Sequence, residues 1–188
     1  FYDQVQRLKS WRSLFNQLEV KTFKVQDIYD EFSGGLFDPI AIRDFLKYAY
    51  QEWQKPAPAF VLLVGDGSYD YKNNLGTGAI NFIPPFTPDP SISDDMYVLF
   101  GDTLPMIISR LPVRSEREAE VVVNKIIDYE RTPEFGTWRN LITLVADDEW
   151  DKIGVIDQLW WAHTPKSEIL AQSHIPSSFN LSKVYLME

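Results

Sequence analysis

Residues Phe60–Asp70 read FVLLVGDGSYD: five apolar residues in a row, then Gly65-Asp66-Gly67. A short continuous apolar run that stops in a tight polar turn has the pattern of a fully buried strand in a parallel sheet. In open α/β sheets the turn after such a strand opens onto the crevice where ligands sit. Asp66, Ser68 and Asp70 are therefore the first candidates for a polar site, set against the plainer possibility that small and acidic residues here only make and solvate a turn.

Working outward, the upstream pattern is helical. Val5, Leu8, Trp11, Phe15 and Leu18 share one face of a helix predicted over residues 3–18. Residues 20–25 alternate apolar with polar, which predicts a short strand near a sheet edge. The next segment, IYDEFSGG, predicts a helical turn closed by Gly34 and Gly35, residues that adopt the left-handed cap without strain. Asp38-Pro39 is a helix start, since Asp accepts from free first-turn amides and Pro at the first position loses no hydrogen bond. Ile42, Phe45, Leu46, Ala49, Tyr50 and Trp53 give that helix one broad apolar stripe, and Pro56 and Pro58 end it.

Downstream, residues 71–93 are rich in Asn, Gly, Pro and Asp and have no period, a long connection of the kind that carries function. Its aromatics Phe82 and Phe86 suit either partner contact or pinning the loop to the core. Residues 95–100 and 106–109 predict two short strands around Gly101-Asp102. Ser115 with Glu118 forms a capping box for a helix whose buried face is Ala119, Val122, Val123, Ile126 and Ile127, ending near Thr132-Pro133. Leu141–Ala146 predicts a second buried strand, again stopping in acid at Asp147, Asp148 and Glu149. A weak helical pattern over 151–174 is interrupted at Thr164-Pro165, and residues 183–186 predict a last strand. Strands alternating with helices make this an α/β protein, three layers with a mostly parallel sheet flanked by helices.

Composition narrows the function classes. The chain has 188 residues and a formal charge of −9, which argues against a nucleic-acid surface, because phosphate binding needs clustered Lys and Arg. No apolar run is long enough to span a membrane. There is no cysteine, so these residues hold no disulfide, thiolate metal site or thiol nucleophile. The chain opens on Phe1 without a signal-type segment and reads as a piece of something longer.

Candidate chemistry is sparse. His163 and His174 have no acid at metal-ligand spacing. Asp66-x-Ser68-x-Asp70 opens like a calcium loop, yet Tyr71 stands where that loop needs Gly and Thr77 where it needs its closing Glu. An irregular calcium site drawn from Asp66, Asp70, Asp89, Asp94 and Asp95 stays open as an expectation. Gly65-x-Gly67 lacks the third glycine and the helix of a dinucleotide fingerprint. Asp147-Asp148 resembles the acidic pair of phosphoacceptor receiver domains, without the rest of that site. Ser68, His163 and an acid have no nucleophile elbow to make them a triad.

Taken together, IYDEFSGGLFDPIAIRDFLKYAY, FVLLVGDGSYDYKN, INFIPPF, SDDMYVLF, SRLPVRSEREAEVVVNKIIDYE and WRNLITLVADD resemble, in the same order, the gingipain-type cysteine peptidases, and within them the sortase of type IX secretion. One departure is Ser109, where the family usually has Gly before its RLP. The resemblance implies a caspase-like fold, with residues 1–136 as an amino-terminal subdomain and 137–188 as the beginning of the catalytic one. The family's Gly-His-Gly and its strand-end Cys do not occur here, so the resemblance implies a non-catalytic portion of the enzyme. It places Asp148, or Asp147, where gingipains have an acid beside the catalytic His. The implied partners are the remaining catalytic subdomain, exported proteins bearing a sorting domain and other secretion components, and the implied location is extracytoplasmic, at the outer-membrane surface. The alternative is a non-enzymatic α/β module binding calcium or protein through its GDGSYD and SDD loops.

Overall fold

The structure, a computed structural model, describes residues 1–86, 93–147 and 163–186. The chain divides into two compact units, Phe1–Thr132 and Pro133–Glu188. Among the described residues no helix is long and apolar enough to cross a membrane.

The first unit holds helices α1 (Tyr2–Phe15), α2 (Val25–Ser33), α3 (Pro39–Glu52) and α4 (Glu116–Arg131), strands β1 (Phe60–Val64) and β2 (Ile107–Leu111), and a 3-10 turn at Asp94–Tyr97. The two strands pair in parallel, Phe60 beside Ile107 through Val64 beside Leu111. Local signals act as the sequence predicts at several places. The left-handed Gly34 caps α2, the Asp38 carboxylate accepts from the Ile40 amide with Pro39 at the first position of α3, and the Ser115 hydroxyl accepts from the Glu118 amide at the start of α4. The capping box is only half formed, because the Glu118 carboxylate accepts from Arg114 instead of from Ser115.

The core of this unit is one cluster: Tyr29, Ala41, Ile42, Leu46, Leu63, Ile83, Tyr97, Val98 and Met106. It joins α2 and α3 to one face of the β1–β2 pair and to the loops at its end. Fully burying each larger side chain stabilises by about 1.5–3 kcal/mol, so this cluster is the main apolar anchor of the fold.

Four expectations give way here. Residues 20–25 form no strand; α2 already starts at Val25, and Phe23 spends its ring on Phe45 and Trp53, at 4.9 and 5.6 Å. Residues 95–100 are not a strand, since the Ser93 hydroxyl accepts from the Asp95 amide and caps a 3-10 turn over Asp94–Tyr97, which buries Tyr97 and, just after it, Val98. Helix α1 stops at Phe15, leaving Leu18 outside it. Finally, β1 is buried on one face only: Leu63 packs into the core while Phe60 and Leu62 stay exposed.

The second unit holds a 3-10 turn (Thr137–Asn140), β3 (Leu141–Ala146), α5 (His163–Ser173) and β4 (Asn180–Tyr185). Strands β3 and β4 are parallel, Leu141 beside Asn180 through Ala146 beside Tyr185. Thr164-Pro165 lies in the first turn of α5, and the part of the expected helical pattern at residues 151–162 lies outside the described residues. Proline is tolerated there because first-turn amides have no partner within the helix. The architecture is α/β with two parallel strand pairs; α5 joins β3 to β4, whereas the described residues between β1 and β2 hold only the 3-10 turn.

Candidate functional site

The GDG turn lies at the carboxyl end of β1, and Asp147, the one described residue of the second acidic stretch, directly follows β3. In the first unit the ladder runs on past β1: Gly65 N–H donates to Leu111 O at 2.9 Å and Asp66 N–H to Val113 O at 3.0 Å. The turn is then clamped by residues 81–85. Phe82 N–H donates to Asp66 O at 2.9 Å and Ser68 N–H to the Asn81 side chain. A Cβ on Gly67 would lie 2.3 Å from the Ile83 carbonyl oxygen, so only glycine lets the two backbones approach this closely.

Arg110 is the hub beneath this turn. Its Nε and Nη2 donate to the two oxygens of Asp94, both at 2.7 Å, the fork-on-carboxylate geometry that makes such pairs strong. Its Nη1 reaches Gly65 O at 2.9 Å and Ile83 O at 2.8 Å. One guanidinium thus ties together β2, the end of β1, the 81–85 loop and the 3-10 turn. Burial works against its charge, but the Asp94 carboxylate outweighs that and holds it above its usual range. Beside it, burial pushes the Tyr97 phenol far upward, and its hydroxyl donates to Pro84 O. Burial likewise raises the Tyr29 phenol well above its ordinary value.

Of the five carboxylates expected to share calcium, three are engaged separately. Asp66 accepts from the exposed Arg114 Nε at 2.6 Å, and that bond holds its carboxyl below the ordinary range. Asp70, buried, accepts from the Asn74 and Leu75 amides, both at 2.7 Å, and braces the loop that follows. Asp94 is taken by Arg110, and Asp95 lies exposed in the 3-10 turn. Asp89 lies outside the described residues. Among the described residues no three His, Cys, Asp or Glu side chains gather as a metal would need.

In the second unit, Asp147 follows β3 and is exposed, while Asp148 lies outside the described residues. The Thr164 hydroxyl donates to Asp147 O at 2.8 Å. One turn along α5, Glu168 accepts from Lys183 Nζ with both oxygens at 2.8 Å, from the Tyr185 hydroxyl at 2.8 Å and from Gln172 at 3.2 Å. These donors, Lys183 first, keep its carboxyl below the ordinary range. His163 opens α5 and His174 follows its end, both exposed.

Sequence reasoning missed Arg110, Arg114, Asn81, Thr164 and Glu168. Arg110 carried a signal: a guanidinium inside the strand IISRL demands a buried acid, and SDD was already in view.

No curated protein matches the chain. Solved structures resemble it, two of them as follows. Dimeric latent PorU from Porphyromonas gingivalis is 29% identical, with a TM-score of 0.61 over 73% of this chain and 15% of that one. The complex of RgpB pro- and mature domains from the same organism shares the fold at 18% identity, with a TM-score of 0.60 over 99% of this chain and 40% of that one. This chain therefore spans well under half the length of either. The model of peptidase family C25 matches residues 1–188. The chain belongs to peptidase family C25, the gingipain family.

Proposed function

We propose that these residues are the amino-terminal, non-catalytic part of a PorU-like cysteine peptidase and sortase. The observation that carries this reading is a cysteine-peptidase family matched over the whole length of a chain that has no cysteine. A C25 enzyme acts through a thiolate, so the nucleophile and its His would be supplied by the rest of the parent protein. The 29% identity with PorU favours the sortase branch. In that branch the thiolate attacks the carbonyl at a carboxy-terminal sorting domain, the downstream amine leaves with a proton from the imidazolium, and a thioester forms. An amine of a lipopolysaccharide, or water, then takes the acyl group. Asp148, or Asp147, would orient that imidazole and stabilise its charged form. The setting is extracytoplasmic, at the cell surface, and the partners are the catalytic subdomain and exported proteins that bear the sorting domain.

The gene supplies the first test: a Gly-His segment followed by a strand-end Cys downstream of residue 188 is expected. In the assay, the purified 188-residue chain leaves a sorting-domain fusion protein uncut, whereas the full-length parent cuts it. Cleavage by the short chain that survives substitution of both Asp148 and His174 would refute the reading.

A further inference from the structure

Arg43 of α3 is half-buried, yet among the described residues its guanidinium has a single hydrogen-bond partner, a main-chain carbonyl: Nη2 donates to Leu99 O at 3.2 Å. Its Nε is buried without a partner, and no described carboxylate forms an ion pair with it. Other arginines in this chain are matched to an acid: Arg12 to Glu130, Arg110 to Asp94, Arg114 to Asp66 and Arg131 to Asp128. A guanidinium drawn partly out of water without an anion costs stability, and a buried donor left unpaired calls for an explanation.

The surroundings of Arg43 supply one. Helical periodicity puts positions 43, 47 and 50 on one narrow stripe, so Lys47 and Tyr50 share the Arg43 side of α3, next to the face that Ile42, Leu46 and Ala49 bury. The acids of this helix, Asp44 and Glu52, fall outside the stripe. The segment after the 3-10 turn borders it: Arg43 reaches Leu99, and the Tyr50 and Phe100 rings lie 6.2 Å apart. Past the helix end, Lys55 Nζ stands 5.2 Å from the centre of the Tyr50 ring and donates to Tyr50 O at 3.1 Å. Lys47 and Lys55 are exposed, and both rings are half-exposed. In a chain whose net charge is −9, this stripe is a local cationic and aromatic surface.

We propose that this side of α3 is a docking surface for an acidic peptide segment of another protein, with a carboxylate of that segment seated on Arg43. The guanidinium offers N–H donors in one plane, which match a carboxylate as an ammonium does not. Lys47 and Lys55 draw the acid in, and the rings of Tyr50 and Phe100 take an apolar neighbour of it. Binding supplies the anion that the folded chain lacks, in a site already partly desolvated, where such a bond is stronger than in water. The inference stands on the first unit alone and does not need the peptidase reading.

The test measures, by fluorescence anisotropy, how the full-length parent binds a fluorescein-labelled peptide, Glu-Leu-Glu-Glu-Leu-Glu, beside a neutral twin with Gln for each Glu. The acidic peptide is expected to bind about tenfold tighter or more, the worth of one charge-assisted hydrogen bond. Arg43→Met, which keeps the apolar stem and removes the charge, is expected to abolish that margin while Tm stays at or above wild type, because the unbound protein gives this charge no anion. Arg43→Lys should recover only part of the affinity, since it lacks the planar donors. A lower Tm with unchanged affinity would make Arg43 a structural residue and overturn the proposal. Should Arg43→Met lower both, Lys47→Glu at its exposed position decides, and wild-type affinity there overturns the docking surface. Equal affinity for the two peptides overturns it as well, and so does a parent that binds neither, because the rest of the parent would then occupy this side of α3 itself.

Discussion

At the scale of single residues, Arg110 is where the most chemistry depends on one side chain. Its guanidinium holds Asp94 and three main-chain carbonyls, so deleting it leaves a half-buried carboxylate and the Gly65 and Ile83 carbonyls without this donor. Arg110→Met is expected to destabilise the chain by about 3 kcal/mol, the range for breaking a buried pair from one side, read from urea unfolding. A loss below about 1 kcal/mol would show that solvent replaces the fork. Asp66 gives a milder, pH-dependent effect. Its folded pKa is depressed by Arg114, so its contribution is fully present above the unfolded value of about 3.9 and is lost as the pH falls through the folded one. Because Arg114 is exposed, the contribution is small. Asp66→Asn should therefore lower Tm slightly at neutral pH and not at all under strongly acidic conditions; an equal loss at both pH values would exclude the ion pair as its cause.

At the scale of elements, the turn after β1 is set by contact and not by loop chemistry alone. Gly67→Ala places a methyl carbon on the Ile83 carbonyl, a backbone atom that cannot rotate away. Overpacking of this kind costs about 1–3 kcal/mol, and here it should also displace the 81–85 loop, seen as lost amide-exchange protection at Phe82. Protection at Phe82 equal to wild type would count against the clamp. The same comparison shows what the sequence could reveal. Elements written in local signals were legible: Asp38-Pro39, Gly34, Ser115 and the apolar run 60–64 all act where they stand. Elements set by distant contacts were not. The alternation in residues 20–25 looks like a strand until Phe23 is seen to pack on Phe45 and Trp53, and the 95–100 segment looks extended until Ser93 is seen to cap a 3-10 turn that places Tyr97 in the core. Of the site, the GDG turn was readable because its residues are contiguous, whereas the Arg110–Asp94 pair joins positions 16 apart and Thr164–Asp147 positions 17 apart. Such pairs exist only once the chain is folded.

At the scale of the whole chain, each unit carries a parallel pair of strands, and parallel sheets are normally covered on both faces. In the first unit Leu63 is 6% exposed on the packed face, while Phe60 and its register partner Ile107 are 64% and 63% exposed on the other. In the second, the partners Val145 and Val184 are 67% and 45% exposed. Two-stranded sheets are marginal by themselves, and open apolar faces of this kind draw in partners. If these residues belong to a larger C25 peptidase, the rest of that protein is what covers them. The isolated 188-residue chain should therefore bind an apolar fluorescent dye and self-associate as concentration rises, while the full-length parent should do neither at the same molar concentration. Charge substitutions such as Phe60→Lys and Val145→Lys should relieve association of the short chain yet destabilise the parent, because only there would the charge be buried. A short chain that stays monomeric and takes up no dye, or a parent indifferent to both substitutions, would mean that these faces meet solvent in the complete protein too.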